Sequence, residues 1–273
     1  MKLIDSLKLA QFLQKNGLHA DHALGQNFLV DAEVLEKILE AGELRSSDEV
    51  VEIGAGLGSL TQALASQVQK VIALEFDRKI FPTLQKNLAE HSNVELHNLD
   101  VRRFSPPKRN FKLIANIPYY LTSPILRKFF LENSPPELAV LLVQKEVAEK
   151  ICDSKKLSLL ALEVRIFGAP EIVAIVKPQS FLPPPKVDSA VLKIRLKKKS
   201  EIQRTDLEDF FKIVQAGFRA PRKKIRGSFV AGFPAKKAVA EEILARAKID
   251  LDLRPEDLQI ADWQKILAAS RAA

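Results

Sequence analysis

Apolar and polar positions between residues 31 and 196 follow two alternating periods. Short apolar runs, typical of buried strands, are separated by stretches in which apolar residues recur every three or four positions, as on an amphipathic helix. The runs predict strands at residues 50–53, 71–74, 94–99, 111–115, 139–143, 171–177 and 190–196, of which the last two are expected to pair. Such alternation predicts a mostly parallel sheet covered by helices on both faces.

Helices are predicted in the intervals between these strands. Their helical spacing covers residues 32–42, 59–67, 78–90, 145–152 and 157–167. Asp31 can cap the first of them through its side chain. A further helix is expected to start at Ser123-Pro124, because a cap residue followed by proline at the first helical position favours a helix start.

The residues beyond Ser200 show helical spacing only. They predict one helix within 207–218, another within 239–244 and a last pair of short helices within 258–267. We therefore expect a domain boundary within 197–203. The two predicted domains are a sheet domain, residues 1–199, with an N-terminal arm at 1–30, and a helical domain, residues 200–273.

Glycines directly follow the first predicted strand. In the loop Gly54-Ala55-Gly56-Leu57-Gly58 they let the backbone approach a ligand closely and leave helix N–H groups free. A dinucleotide-binding loop needs its third glycine where Ser59 stands, so the spacing fits a dehydrogenase poorly.

Acidic side chains accompany the ends of the first three strands. Glu52 lies in the first, Glu75 ends the second and Asp100 follows the third. Ligands of such sheets bind beyond the carboxyl ends of the strands. There Glu75 can accept hydrogen bonds from both hydroxyls of a ribose, and Asp100 can accept one from an adenine amino group. Acidic surroundings disfavour a phosphate-rich ligand and favour a cationic, ribose-bearing one, namely S-adenosylmethionine.

The tetrapeptide Asn116-Ile117-Pro118-Tyr119 ends the fourth strand. An asparagine amide both donates and accepts hydrogen bonds, proline restricts the backbone, and tyrosine presents a flat face. This corner suits a planar, hydrogen-bonding substrate such as a nucleobase. The chain has only two tyrosines against fifteen phenylalanines. We expect Tyr119 to provide a stacking face and Tyr120 to serve in packing.

Charge favours a polyanionic partner. The 273 residues carry a net charge of +8, with a pI of about 9.4, which suits nucleic acid. One basic cluster, which we interpret as part of a helix, comprises Arg219, Arg222, Lys223, Lys224 and Arg226. A second is the run Lys197-Lys198-Lys199. Either could instead be a solvated surface or a linker.

Several kinds of protein fit the composition poorly. No apolar stretch is long enough to span a bilayer, and the N-terminus lacks the apolar core of a signal peptide. A single cysteine, Cys152, excludes an intramolecular disulfide and a multi-thiolate zinc site. The four histidines have no ligand-like spacing. We expect a cytoplasmic monomer without a metal or membrane partner.

Five motifs, in this order, resemble the ribosomal RNA adenine dimethyltransferase family across nearly the whole chain. They are Gly25–Leu29, Glu52–Gly58, Asn116–Tyr119, Gln144–Ala148 and Phe181–Val191. The first and the last are long and jointly specific. The resemblance implies a Rossmann-like, class I S-adenosylmethionine-dependent methyltransferase sheet with a small all-α carboxyl-terminal domain.

The resemblance also implies roles for individual residues. Those that line the S-adenosylmethionine site are Asn27, Leu29, Gly54, Gly56, Glu75, Asp100 and Asn116. Those that handle the target base are Asn116, Tyr119 and Phe181. Those that bind RNA are Arg222, Lys223, Lys224 and Arg226.

Within the family, the sequence most resembles the bacterial branch that dimethylates two adjacent adenosines near the end of small-subunit (16S) ribosomal RNA. The full proline motif at 181–191 and the basic cluster support that branch. Three alternatives stay open. One is the sister branch, which methylates large-subunit (23S) RNA and confers macrolide resistance. Another is a mainly non-catalytic ribosome assembly factor, and the third is a DNA adenine or protein glutamine methyltransferase.

Overall fold

A computed structural model describes residues 5–131, 135–197, 200–232 and 237–272. Lys198 and Lys199 of the predicted lysine run lie outside the described residues. The strands are β1 Phe28–Leu29, β2 Glu49–Ile53, β3 Lys70–Glu75, β4 Val94–Asn98, β5 Lys112–Asn116, β6 Leu138–Gln144, β7 Gly168–Val176, β8 Phe181–Leu182 and β9 Ser189–Leu196. The helices are α1 Ser6–Lys15, α2 Ala32–Ala41, α3 Ser59–Ala65, α4 Phe81–Asn87, α5 Thr122–Leu131, α6 Lys145–Cys152, α7 Leu159–Phe167, α8 Leu207–Gly217, α9 Ile225–Gly232, α10 Lys237–Arg246 and α11 Ile260–Arg271.

The main sheet, as far as the chain is described, has seven strands in the order β4-β3-β2-β5-β6-β9-β7. The first five run parallel, whereas β9 is antiparallel to β6. The mostly parallel sheet is therefore confirmed, as is the pairing of the two final strands. Ile53 lies beside Leu74 on one side and Ala115 on the other. The carboxyl ends of β2, β3 and β5 consequently meet at one edge.

The central strands are buried because both of their faces are covered. All five residues of β2 are buried, and Val50 packs in one cluster with Ile38 of α2 and Leu64 of α3. As predicted, Asp31 caps α2: its carboxylate accepts from the backbone N–H groups of Glu33 and Val34. The packing of β2 with α2 and α3 therefore sets the position of the loop that follows β2.

A second, two-stranded sheet was not predicted. Phe28 pairs with Leu182, and Leu29 pairs with Phe181, so β1 and β8 are antiparallel partners. Two residues are too few to show a period of two, and the partners are more than 150 positions apart in the chain. This pairing joins the first and last motifs of the sequence.

Two helix predictions were wrong in detail. Helix α5 begins at Thr122, directly after a 3-10 turn at Tyr119–Leu121, so Ser123 is inside the helix and does not cap it. Pro124 is still tolerated there, because the first turn of a helix needs no N–H donor. The predicted last pair of short helices is a 3-10 turn, Pro255–Asp257, followed by the single helix α11.

The chain folds into two compact units. The first comprises residues 1–149 and 169–196 and contains the main sheet. The second comprises residues 150–168 and 197–273 and is helical. Residues 150–168, which the sequence assigned to the sheet domain, thus belong with the later helices. The domain limits 1–199 and 200–273 stay a prediction.

The helical unit has an aromatic core of its own. Trp263 is fully buried, and its ring stacks on Phe218 with centroids 5.7 Å apart. Gly217 of α8 lies against the same ring: a Cβ there would be 2.2 Å from a Trp263 ring carbon. Glycine is required at this position because no larger residue leaves space for the tryptophan.

Candidate active site

A pocket of about 330 Å³ lies at the carboxyl edge of the parallel strands. Eight of the predicted site residues line it: Asn27, Gly54, Gly56, Glu75, Asp100, Asn116, Tyr119 and Phe181. Leu29 instead lines a smaller neighbouring cavity of about 50 Å³, together with Glu52. The predicted cofactor and base residues are therefore close together within the sheet unit.

The glycine loop is shaped by positive backbone φ angles. Gly54 has φ 78° and Gly56 has φ 60°, a region that side chains rarely allow. A Cβ on Gly54 would lie 2.7 Å from the carbonyl oxygen of Asn116. The loop can therefore approach the end of β5 this closely only because Gly54 has no side chain.

Glu75 closes the loop from the end of β3. Its Oε2 accepts from the backbone N–H of Gly56 at 2.8 Å, and its Oε1 accepts from that of Asp77 at 2.7 Å. Burial raises the pKa of the Glu75 carboxyl above its ordinary value. A carboxylate has about four acceptor positions. Each oxygen of Glu75 can thus accept a further hydrogen bond from a ligand hydroxyl.

Asp100 is bound by a neighbouring arginine. Its carboxylate accepts from the backbone N–H of Arg102 at 2.9 Å, and the Arg102 Nε lies 3.0 Å from both Asp100 oxygens. This guanidinium holds the pKa of the Asp100 carboxyl below its ordinary value. Asp100 is therefore a charged acceptor whose oxygens already share one cation.

Glu52 is a buried acid beside the pocket. It is 1% exposed, and neither of its carboxyl oxygens has a hydrogen bond of ordinary geometry among the described residues. Burial raises the pKa of Glu52 to about 8; the nearby Thr61 side chain of α3 opposes this rise, and the negative charge of Glu75 adds to it. Glu52 is consequently protonated over much of the neutral range.

The end of β5 presents an oriented amide. The Asn116 Nδ2 donates to the backbone carbonyl of Asn27 at 3.3 Å, which leaves the Asn116 Oδ1 as an acceptor. Tyr119 is half-buried, and burial raises the pKa of its phenol. The Tyr119 hydroxyl lies 2.6 Å from the Ser189 hydroxyl. The structure thus brings a free amide oxygen and an aromatic face to one wall of the pocket.

Three further pocket residues were missed from the sequence. Phe76 is 55% exposed and Tyr120 is 62% exposed, and both line the pocket together with Arg102. The interpretation of Tyr120 as a packing residue is therefore wrong. Phe76 could have been found, because it follows the strand-end acid Glu75 and lies outside the buried apolar run.

The N-terminal arm is tied to the same edge of the sheet. The Gln26 side chain donates to the Asp77 carboxylate at 2.8 Å and accepts from the backbone N–H of Asp21 at 2.8 Å. Gly25, with φ 66°, packs against Pro118. These contacts place the arm residues Asn27 and Phe28 on the wall of the pocket.

The basic cluster is not a helix over most of its length. Arg222, Lys223 and Lys224 are exposed residues of the turn before α9, and only Arg226 lies in the helix. The prediction of a basic helix is wrong here because α8 ends at Gly217 and turns and bends follow before α9 begins. The Lys224 ammonium pairs with Asp252 at 2.8 Å.

The described residues contain no group of three or more histidine, cysteine, aspartate or glutamate side chains that could hold a metal ion. None of their helices combines the length and the apolarity that crossing a bilayer requires.

The parallel strands, the glycine loop after β2 and the strand-end acids define a class I methyltransferase fold. Two solved structures share it. A dimethyladenosine transferase from Plasmodium falciparum superimposes with a TM-score of 0.77 and 28% identity, over 90% of this chain and 98% of that one. The 23S rRNA methyltransferase ErmE has a TM-score of 0.70 and 29% identity, over 90% of this chain and 100% of its own.

Sequence relatives narrow the class to a family. The family model for ribosomal RNA adenine dimethylase matches residues 17–270. A ribosomal RNA small subunit methyltransferase A from Dehalococcoides mccartyi is 38% identical, over 91% of this chain and 88% of the relative. A relative of the same name from Listeria monocytogenes is 33% identical, over 95% of this chain and 93% of the relative. The chain belongs to the ribosomal RNA adenine dimethylase family.

Proposed function

We propose that this protein transfers methyl groups from S-adenosylmethionine to N6 of two adjacent adenosines near the 3′ end of 16S rRNA. The product is N6,N6-dimethyladenosine, and the reaction serves small-subunit maturation. We propose that the protein acts as a cytoplasmic monomer. The observation that carries the proposal is one pocket lined by the amide of Asn116, the ring of Tyr119 and the acids Glu75 and Asp100.

The pocket fits S-adenosylmethionine. Its volume of about 330 Å³ is within the range of small-molecule sites. Gly54 keeps the loop free of side-chain atoms, Glu75 has acceptor capacity for ribose hydroxyls, and Asp100 is an acceptor for an adenine amino group. The cofactor supplies an electrophilic methyl group on a sulfonium.

Asn116 activates the target amine in this proposal. The exocyclic nitrogen of adenine is a poor nucleophile, because its lone pair is delocalised into the ring. A hydrogen bond from that amine to the Asn116 Oδ1, with a second to a backbone carbonyl near Ile117, favours a more pyramidal nitrogen. The contact of the Asn116 Nδ2 with Asn27 leaves the amide oxygen available for this contact.

Tyr119 and Phe181 hold an extruded base. Both line the pocket, and Phe181 is fixed through the pairing of β8 with β1. Stacking on an aromatic ring contributes about 1–3 kcal/mol per base, which offsets much of the cost of unstacking it from RNA. Alignment of the amine is then the main requirement. No strong general base is needed, since methylation makes the departing proton acidic.

The exposed basic turn is the proposed RNA contact. Arg222, Lys223 and Arg226 are exposed. The Lys224 ammonium already forms an ion pair with Asp252, so we expect its contribution to phosphate binding to be smaller. Relatives named for the small subunit, at 33–38% identity, favour 16S over 23S RNA as the substrate.

Methylation of purified subunits tests the proposal. Small and large subunits from cells that lack such methylation are incubated with the protein and methyl-labelled S-adenosylmethionine, and the modified adenosines are mapped. We expect two adjacent dimethyladenosines in the small subunit and none in the large one. Label in 23S RNA alone would support the sister activity. Absence of label from both subunits, with the fold intact, would support an assembly factor.

A further inference from the structure

A second hydroxyl contacts the stacking tyrosine. Ser189 begins β9, within the proline motif of the sequence, and is fully buried. Its Oγ lies 2.6 Å from the Oη of Tyr119, which is a short hydrogen bond between two hydroxyls. Ser189 is outside the lining of the pocket, so it reaches the site only through Tyr119.

Three contacts hold the chain at Asp188 and Ser189 in place. Ser189 pairs with Gln144 at the end of β6. The carbonyl of the preceding Asp188 accepts from the backbone N–H of Lys145 at 3.0 Å, and the Asp188 carboxylate binds the Lys177 ammonium at 2.7 Å. The Ser189 hydroxyl is therefore an anchor whose position is set by the sheet.

The other end of Tyr119 is also held. The Thr122 hydroxyl donates to the Tyr119 carbonyl at 2.9 Å, and the backbone there forms a 3-10 turn. With its backbone and its Oη both fixed, the ring has little freedom to rotate about its side-chain bonds. Without the Oη contact, a half-buried tyrosine can change rotamer on a fast timescale. A stacking face is useful only if its plane stays constant.

We propose that Ser189 is a positioning residue that fixes the plane of the Tyr119 ring, so that a stacked adenine presents N6 to Asn116. The inference rests on the proposed function and adds a residue to its site. Ser189 does not touch the base or the cofactor. Its loss should therefore slow methyl transfer while leaving the binding of S-adenosylmethionine unchanged.

A double-mutant cycle tests this inference. Ser189→Ala, Tyr119→Phe and the double variant are assayed on undermethylated small subunits. We expect each single variant to lower kcat about fivefold, the effect of losing one hydrogen bond, with KM and the Kd for S-adenosylmethionine unchanged. The double variant should be no slower than either single one, since both remove the same contact. Additive losses, or wild-type kcat in Ser189→Ala, would overturn the inference.

Controls separate positioning from stability. Asn93→Ala removes two hydrogen bonds to backbone carbonyls just before the amino end of β4, whereas Tyr119 follows the carboxyl end of the parallel strand β5. It should lower the melting temperature and leave kcat unchanged. If Ser189→Ala does not fold, the kcat of Tyr119→Phe tests the inference by itself, because this variant keeps the ring and removes only the hydroxyl. Wild-type kcat in Tyr119→Phe would then refute the inference.

Fluorine NMR observes the ring directly. The chain has only two tyrosines, so incorporation of 3-fluorotyrosine labels Tyr119 and Tyr120 alone. Ser189→Ala should shift or sharpen the Tyr119 signal and leave the Tyr120 signal in place. An unchanged Tyr119 signal would contradict the anchoring. Wild-type protein that is inactive on both subunits would refute the proposed function, whereas active wild type with unaffected variants would refute the role of Ser189 alone.

Discussion

Asn116 is the residue on which the proposed chemistry depends most directly. Asn116→Ala removes the acceptor for the target amine, and we expect kcat to fall about 100-fold or more, as when one preorganised polar group is lost from an active site. The melting temperature and the affinity for RNA should change little. The measurement is single-turnover methylation of small subunits. Asn110→Ala, at an exposed asparagine just before β5, is the matched control and should keep wild-type turnover.

Glu52 makes stability depend on pH. Its pKa is raised by burial from 4.5 to about 8, so between these values the folded chain keeps a proton that the unfolded chain releases. The stabilising contribution of the neutral acid is therefore complete below pH 4.5 and is lost as pH rises to about 8. We expect Glu52→Gln to melt progressively higher than wild type across this window. Melting curves of both proteins at several pH values measure this difference in melting temperature.

An exposed glutamate provides the control for Glu52. Glu36→Gln makes the same chemical change at an exposed position of α2, away from the buried site. If the melting temperatures of Glu52→Gln and wild type differ by the same amount at every pH, Glu52 does not titrate as inferred. The sequence marked Glu52 as a strand-end acid. It could not show that the carboxyl is buried, because burial depends on how the folded chain packs around β2, including Thr61 of α3.

At the scale of elements, the glycine loop between β2 and α3 is the part with the least tolerance for change. Gly54→Ala adds a Cβ 2.7 Å from the Asn116 carbonyl oxygen, at a φ of 78° that alanine disfavours. We expect weaker binding of S-adenosylmethionine by about tenfold or more, measured by calorimetry, because the loop must move away from β5. Gly17→Ala has a similar φ of 63° but open space around its Cβ, and should bind the cofactor normally.

The long elements were predictable and the short ones were not. Strand β6 is a continuous apolar run because neighbours cover both of its faces, and this is visible in one sequence. The pairing of β1 with β8 depends on the whole sheet unit. The same holds for the site: the glycine loop and Asn116 were predicted, whereas the contact between the Ser189 and Tyr119 hydroxyls joins residues 70 positions apart and follows from the three-dimensional fold.

At the scale of the whole molecule, composition indicated a polyanionic partner but not the surface that binds it. The cluster from Arg219 to Arg226 was identified correctly as basic and incorrectly as helical. Its turn conformation leaves Arg222 and Lys223 exposed, while Ile225, at the start of α9, is buried. Charge density along a chain is a property of sequence, whereas the end of α8 is set by packing around Trp263.

The basic turn should control binding to RNA through its charge. Replacing Arg222, Lys223 and Arg226 by alanine removes three exposed cations, so fewer counterions are released on binding. We expect weaker affinity for small subunits. The slope of the logarithm of the binding constant against the logarithm of the salt concentration should become less negative by about two to three. Unchanged affinity and slope would place the RNA contact elsewhere.

A charge-matched variant shows whether the position of these cations matters. Lys15, Lys37 and Lys86 are exposed on α1, α2 and α4 of the sheet unit, and replacing all three by alanine lowers the net charge equally. If the basic turn contacts phosphates directly, this control should keep most of the wild-type salt slope. If general attraction of a basic protein is sufficient, both triple variants should lose affinity alike. The difference between the two slopes therefore measures the local contribution of the turn.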